Sequence, residues 1–325
     1  MSASSGTEVS RLPHRVRLNL QAIVGRAYPR VIGANREPSW IFFEAILPLL
    51  GIAAYVFIYQ ALGDRAIAAI VGGTCGGRPC IDAAEQAAAI ASARANINAL
   101  IGSTVLGGAM VAFWLNVLWS MASQLYWEKE IGNLQLYMMA PMSRMALLGG
   151  MALGGMFMTS VRAITTLVTG VLVFSVTLHL DPANTALLLG VFFVTLTALY
   201  GMGMMLASLY LLWGREAFNL SALLEEPIFF TSGFYFPAGG FAKAGALGRA
   251  VLTAATAIPA TLGLDAMRQL IFPGAWGGQY WIFAPQTELA ILLVLAGVFL
   301  VLARYTLAYL EKLARREGRL TSRHQ

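Results

Sequence analysis

Six blocks of the sequence stay apolar for about twenty residues or more, at 40–62, 99–124, 147–178, 185–213, 217–236 and 287–310, and a weaker one covers 250–272. A helix needs about 20 mostly apolar residues to cross a bilayer, so each strong block is long enough to span one. None alternates with the period of two that marks an outer-membrane barrel strand. A chain of 325 residues can also build a large soluble domain, but 58% hydrophobic against 12% charged residues, with mean hydropathy +0.68, argues against that. The expected fold is an all-α integral membrane protein with six transmembrane helices, residues 39–311 forming one transmembrane domain.

The net charge of +6 is concentrated at the two ends of the chain. Arg11, Arg15, Arg17, Arg26, Arg30 and Arg36 precede the first span, and Lys312, Arg315, Arg316, Arg319 and Arg323 follow the last. With six spans both termini share one side, and the basic excess assigns that side to the cytoplasm of the cell (inner or plasma) membrane. The charge therefore reads as membrane-surface anchoring rather than nucleic-acid binding. Residues 1–38 form a cytoplasmic tail in which Val16, Leu20, Ile23 and Val24, near helical spacing, predict an amphipathic interface helix. Residues 312–325 form a basic cytoplasmic tail. The first apolar block starts only at Trp40 and is too long for the core of a cleavable signal.

Alternation then makes 63–98 an extracellular loop, 125–146 a cytoplasmic one and 237–286 an outer segment. The first carries Cys75 and Cys80 in "GGTCGGRPC", either a short-loop disulfide or two free thiols; no further ligands stand near for a metal. Residues 83–100 are alanine-rich and predict a helix leading into the second span. The segment 237–286 is broken by glycines and by Pro259, which fits re-entrant helices between spans five and six, or an ordinary loop with one surface helix.

No phosphate-binding Gly-x-x-x-x-Gly-Lys loop, no His-Glu-x-x-His and no nucleophile elbow occurs, and His14, His179 and His324 are scattered, so nothing reads as a self-contained enzyme. Charges at membrane depth stand out because they are costly there. Arg162 lies inside the third span, and Glu225 and Glu226 lie midway along the fifth. One glutamate is expected to pair with Arg162 and the other to face a polar cavity or a second subunit; a structural ion pair is the plainer reading. Glu44, beside Trp40, is expected to snorkel.

The cytoplasmic stretch 127–144 reads "WEKEIGNLQLYMMAPMSR". Glu128 and Glu130 are expected in the first turn of a helix of about three turns. Its apolar stripe is Ile131, Leu134, Met138 and Met142, with Pro141 stopping it. Such a stripe can lie on the bilayer, pack under the spans, or fit a groove on a partner.

The pattern Glu128, Lys129, Glu130, Gly132, Leu134, Pro141, Ser143 and Arg144 resembles the element after the second span of ABC-2 type transporter permeases, of the drug-resistance and polysaccharide-export kind. Asn133 and Gln135 depart from that pattern. A second match, "EPIFFTSGFYFP" with "IP" and "LDAMRQLI", supplies Pro227, Ser232, Gly233, Phe236, Pro237, Pro259 and Arg268. The resemblance covers most of the chain from about Arg36, but does not account for the cysteine loop or 83–100. It implies a permease half that pairs with an identical or related permease and with two separate ATPase subunits. Those subunits bind ATP and magnesium, and this chain holds no cofactor. Glu128–Arg144 would contain the coupling helix, and the outer segment Pro237–Arg268 would form an outer gate together with Pro227, Ser232, Gly233 and Phe236. The cargo would be a drug, lipid or glycolipid-like amphiphile. A proton-coupled secondary transporter using Glu225, Glu226 and Arg162 is the alternative.

Overall fold

The computed structural model describes residues 12–36 and 38–316. Arg11, Arg319, Arg323 and His324 lie outside the described residues, as do the side chains of Arg36, Trp40, Glu44, Met138 and Arg315. The chain is helical almost throughout. In order it forms α1 (Leu12–Arg36), α2 (Pro38–Val71), a hairpin of β1 (Thr74–Cys75) and β2 (Arg78–Pro79), and α3 (Ala83–Leu115). A π turn (Asn116–Met121) then leads to α4 (Gln124–Glu130) and α5 (Asn133–Met139). The remainder is α6 (Arg144–Phe174), α7 (Pro182–Trp213), α8 (Ala217–Thr231), α9 (Gly245–Ala255), α10 (Pro259–Ile271) and α11 (Pro285–Arg316).

Among the described residues, five helices are long and apolar enough to cross a membrane, or six if the bent pair α9 and α10 counts as one span. By that measure the chain is a helical membrane protein. The centre is the C-terminal half of α3 and the π turn after it, where Phe113, Trp114, Leu118 and Met121 are fully enclosed. Side chains of α7, α10 and α11 complete this core, among them Leu199, Tyr200, Leu262 and Leu292.

Three features that refine the sequence reading have local causes. First, the loop expected at 63–98 shrinks to residues 72–82: α2 runs on to Val71, while α3 starts at Ala83, where the alanine-rich stretch predicts a helix. A reciprocal cap starts α3: Glu85 N donates to Asp82 Oδ1 at 2.7 Å, and Ile81 N donates to Glu85 Oε2 at 2.6 Å. Gln86 Nε2 donates to the terminal carbonyls Ile70 O and Val71 O of α2, at 2.8 and 3.0 Å. Cys75 and Cys80 form a disulfide across the hairpin.

Second, the expected fifth span at 217–236 is only the 15-residue helix α8, which stops at Thr231. Gly233 has φ +68°, and Pro237 cannot donate to a continuing helix. Third, 245–271 bends by 98° between α9 and α10. Pro259 stands at the first turn of α10, where its missing N–H costs nothing. The segment is thus a broken helix pair rather than a plain loop.

Helix α1 is amphipathic, but both of its faces are apolar in part. Ile23, Arg26, Ala27 and Arg30 turn toward α6, where a side chain at Gly150 would press on the Ile23 carbonyl and one at Gly154 on Arg30. Val16, Leu20, Val24, Tyr28 and Ile32, spaced four apart, form an exposed stripe on the other face.

Candidate functional site

The stretch Glu128–Arg144 is a helix end, a tight turn and a short helix rather than one helix. Glu128 and Glu130 fall in the last turn of α4, not in a first turn. A carboxylate at that end opposes the helix dipole. The compensation comes from α1: Arg26 forms an ion pair with the buried Glu128. Its guanidinium also donates from Nη1 to Tyr137 Oη at 3.2 Å and lies 5.6 Å from that ring's centre. Asn133 Nδ2 donates to Glu128 Oε2 at 3.1 Å. The departure from the family pattern at 133 thus bonds the first glutamate of that pattern.

Gly132 has φ +83°, a left-handed conformation that turns the chain out of α4 and into α5. α5 has two turns rather than three, and Ala140 is already extended before Pro141. Ser143 caps α6, its Oγ accepting Ala146 N at 3.1 Å, while Ser143 N donates to Asn19 Oδ1 at 2.8 Å. Arg144 Nε pairs with Glu311 Oε2 at 2.7 Å, tying the start of α6 to the end of α11. Lys129 is buried in α4.

The predicted stripe divides in two. Leu134 is buried and Met142 half-buried, and together with Leu125, Leu147 and Leu307 they line a small crevice of the bundle. Ile131 is 63% exposed, Leu136 61% and Met139 75%. These three form an unpartnered apolar face on a turn held from three sides, by α1, α6 and α11.

The intramembrane charges are not arranged as expected. Ion pairs join Arg26 to Glu128, Arg78 to Glu85 and Arg144 to Glu311, and neither Glu225 nor Glu226 takes part in these three. Glu225 accepts Trp119 Nε1 at 2.8 Å, and Glu226 is exposed on α8. Arg162 and Arg30 instead line one cavity of about 340 Å³ with Asn116, Trp119, Ser120 and Thr159. The π turn aims three of these polar side chains into it; such turns are frequent at functional sites. Arg30 Nη2 donates to Ser120 Oγ at 3.0 Å and Nη1 to Met151 O at 3.3 Å, while Tyr200 Oη donates to Asn116 Oδ1 at 2.8 Å. Sequence reasoning took Arg26 and Arg30 as surface anchors. The signal it passed over is their spacing with Ile23 and Ala27 on one helical face.

The segment after α8 is a buried polar knot. Arg268 is enclosed and donates from Nη2 to Phe234 O at 2.8 Å and Ser103 O at 3.0 Å, and from Nη1 to Phe236 O at 3.2 Å. Tyr235 O accepts Tyr59 Oη at 3.0 Å and Thr104 Oγ1 at 3.1 Å. Side chains thus satisfy the carbonyls of 234, 235 and 236, as non-helical backbone away from water requires. Gly107 allows the approach, since a Cβ there would overlap the Phe234 carbonyl. Asp265 and Glu288, which sequence reasoning did not single out, pin the turn before α11. Asp265 Oδ2 accepts Ile282 N at 2.8 Å, and Glu288 Oε1 accepts Phe283 N at 3.3 Å. Gln269 Nε2 donates to Asp265 Oδ2 at 3.0 Å and to Phe283 O at 2.7 Å. Pro227 lies within α8, Ser232 and Gly233 are buried at its end, and Pro237 precedes the 3-10 turn Ala238–Lys243.

No family model, curated protein or solved structure matches the chain.

Proposed function

We propose that the chain is the permease half of an ATP-driven exporter of the ABC-2 kind, moving an amphipathic cargo out of the cytoplasm under the control of a separate ATPase. The observation that carries this reading is the mounting of 131–143. Exposed apolar side chains, Ile131 before the Gly132 turn and Leu136 and Met139 on the two-turn helix after it, are presented on a segment braced by Arg26–Glu128, Asn19–Ser143 and Arg144–Glu311. A rigid apolar knob suits docking into a groove, because little conformational entropy is lost on binding. The same braces run into α6 and α11, both long and apolar enough to span the membrane, and into the amphipathic α1 beside them, so a push on the knob is carried into the bundle. In this reading the knob and both termini are cytoplasmic, and the segment Pro237–Arg268 gates the outer side.

A second permease copy covers α8. Glu226 lies on its exposed face with Leu223, Pro227 and Phe230, and a carboxylate at membrane depth is costly to leave against lipid. The alternative, a proton-coupled carrier built on Arg162, Glu225 and Glu226, needs those groups to act together; the bond from Trp119 to Glu225 and the exposure of Glu226 lend it less support.

The test is co-expression with a phosphate-loop ATPase sought in the reading frames beside the chain's gene. Leu136→Asp with Met139→Asp is expected to abolish co-purification of that ATPase and ATP-driven export, while Glu130→Ala weakens both. Export that persists in these variants and follows a proton gradient rather than ATP overturns the reading.

A further inference from the structure

At the end of the bundle remote from 131–143, two cavities share Phe272 as a wall. One, of about 430 Å³, lies between α3, α6, α7 and α10 and is apolar, with Val105, Leu167, Leu188, Phe193 and Ile271 in its lining. The other, of about 410 Å³, is polar, with Arg94, Asn96, Asn98, Thr177 and His179 around it. The segment 176–180 divides them. Val176, Leu178 and Leu180 line the apolar chamber, and Thr177 and His179 line the polar one. That alternation is what extended backbone imposes on successive side chains. The partition is fixed in place: Asn98 Nδ2 donates to Thr177 O and Thr177 N to Asn98 Oδ1, both at 2.9 Å, and His179 N donates to Ile271 O at 3.3 Å.

The polar chamber is lined by a guanidinium and an imidazole and by no carboxylate. Neither Arg94 nor His179 enters an ion pair among the described residues. A chamber of one charge sign opening beside an apolar one is complementary to an amphiphile with an anionic head. We propose that the two chambers form a binding site for an anionic lipid, with an acyl chain between α3, α6, α7 and α10 and a phosphate-bearing head group at Arg94 and His179. The apolar chamber falls within the roughly 300–1,000 Å³ of ligand sites and offers almost nothing to a hydrated molecule. Guanidinium binds phosphate through paired hydrogen bonds. A zwitterionic head brings its own cation against Arg94, which disfavours it. The shared wall at Phe272 favours a lipid over free phosphate, because only a lipid fills both chambers. The proposal needs the helices to stand in a bilayer and does not depend on ATPase coupling, so either reading can fail alone.

The full-length protein in phosphatidylcholine nanodiscs provides the test, using phosphatidylglycerol with a photoactivatable acyl chain and the matching phosphatidylcholine probe. Labelling is expected on peptides covering 102–113, 160–176 and 188–193, about tenfold stronger for phosphatidylglycerol, the ratio expected for one lost charge-assisted contact. Arg94→Gln with His179→Gln, both at exposed side chains, is expected to remove the preference while leaving the protein monodisperse. Ile164→Trp, which fills the apolar chamber from an exposed wall position, is expected to lower labelling by both probes. Equal labelling by the two probes, or a preference that survives the double substitution, overturns the proposal. Loss of the preference in excess inorganic phosphate, with no labelling of the three peptides, overturns it in favour of a phosphate site.

Discussion

Two of the places where the helical chain breaks, 131–143 and 232–244, solve the same problem in opposite ways. Both release backbone groups from helical bonding, and both turn at a glycine with positive φ, Gly132 and Gly233. At 232–237 the freed carbonyls are enclosed, and Arg268, Tyr59 and Thr104 are drawn in to satisfy them. At 131–143 the fastenings are two ion pairs and a bond from Ser143 N to Asn19 Oδ1, and Ile131, Leu136 and Met139 stay exposed. A break inside the bundle must be satisfied internally, because unpaired polar groups there cost about 1–3 kcal/mol each. A break at the edge can leave its surface for something else to cover. The first break is therefore expected to govern stability and the second to govern partnership.

Substitutions rank accordingly. Arg268→Ala is expected to have the largest effect, since it strands the carbonyls of Ser103, Phe234 and Phe236; a loss of about 3 kcal/mol or more is anticipated. Fluorescence-detected size-exclusion chromatography after heating would register it, and a wild-type melting profile would refute the account of the knot. Gly107→Ala follows, at about 2–3 kcal/mol, because backbone rather than a flexible side chain must move out of the way. The same assay applies, and a neutral result there shows that the Phe234 carbonyl can yield.

Glu128→Ala removes the partner of Arg26 at a site that is buried on one side and partly open on the other. About 1 kcal/mol is expected, with a double-mutant cycle against Arg26→Ala giving a coupling of similar size. Additive losses in that cycle would mean the pair brings no net stabilisation. The smallest stability effect, within about 0.5 kcal/mol, belongs to Leu136→Asp with Met139→Asp. If these exposed substitutions unfold the protein, the knob is part of the bundle's own packing and the comparison between the two breaks collapses.

Much of this was legible in the chain itself. Long apolar blocks imply membrane-length helices, and Gly132, Gly233, Pro237 and Pro259 mark the points where helices stop. The cap at Asp82 and Glu85 was also written in the spacing Asp-x-x-Glu, and reading it would have shortened the first loop to its hairpin. Partner choice was not legible. Arg162 was matched to Glu225 and Glu226 because opposite charges at similar depth attract, but depth along a helix does not say which way a side chain faces. Arg26 and Arg30 read as anchors because they precede the first span, yet α1 packs along α6 and half-buries them.

What the sequence by itself determined is therefore one-dimensional: which segments are apolar enough to form long helices, where they break, and on which flanks the basic charge lies. These follow from local composition and backbone stereochemistry. What only the tertiary structure decided is which side chains come together: Arg26 with Glu128, Arg268 with three carbonyls, Arg94 and His179 in the lining of one chamber. Those meetings depend on the rotation and register of packed helices. Contacts spread over the whole bundle set that register, and no local pattern of residues encodes it.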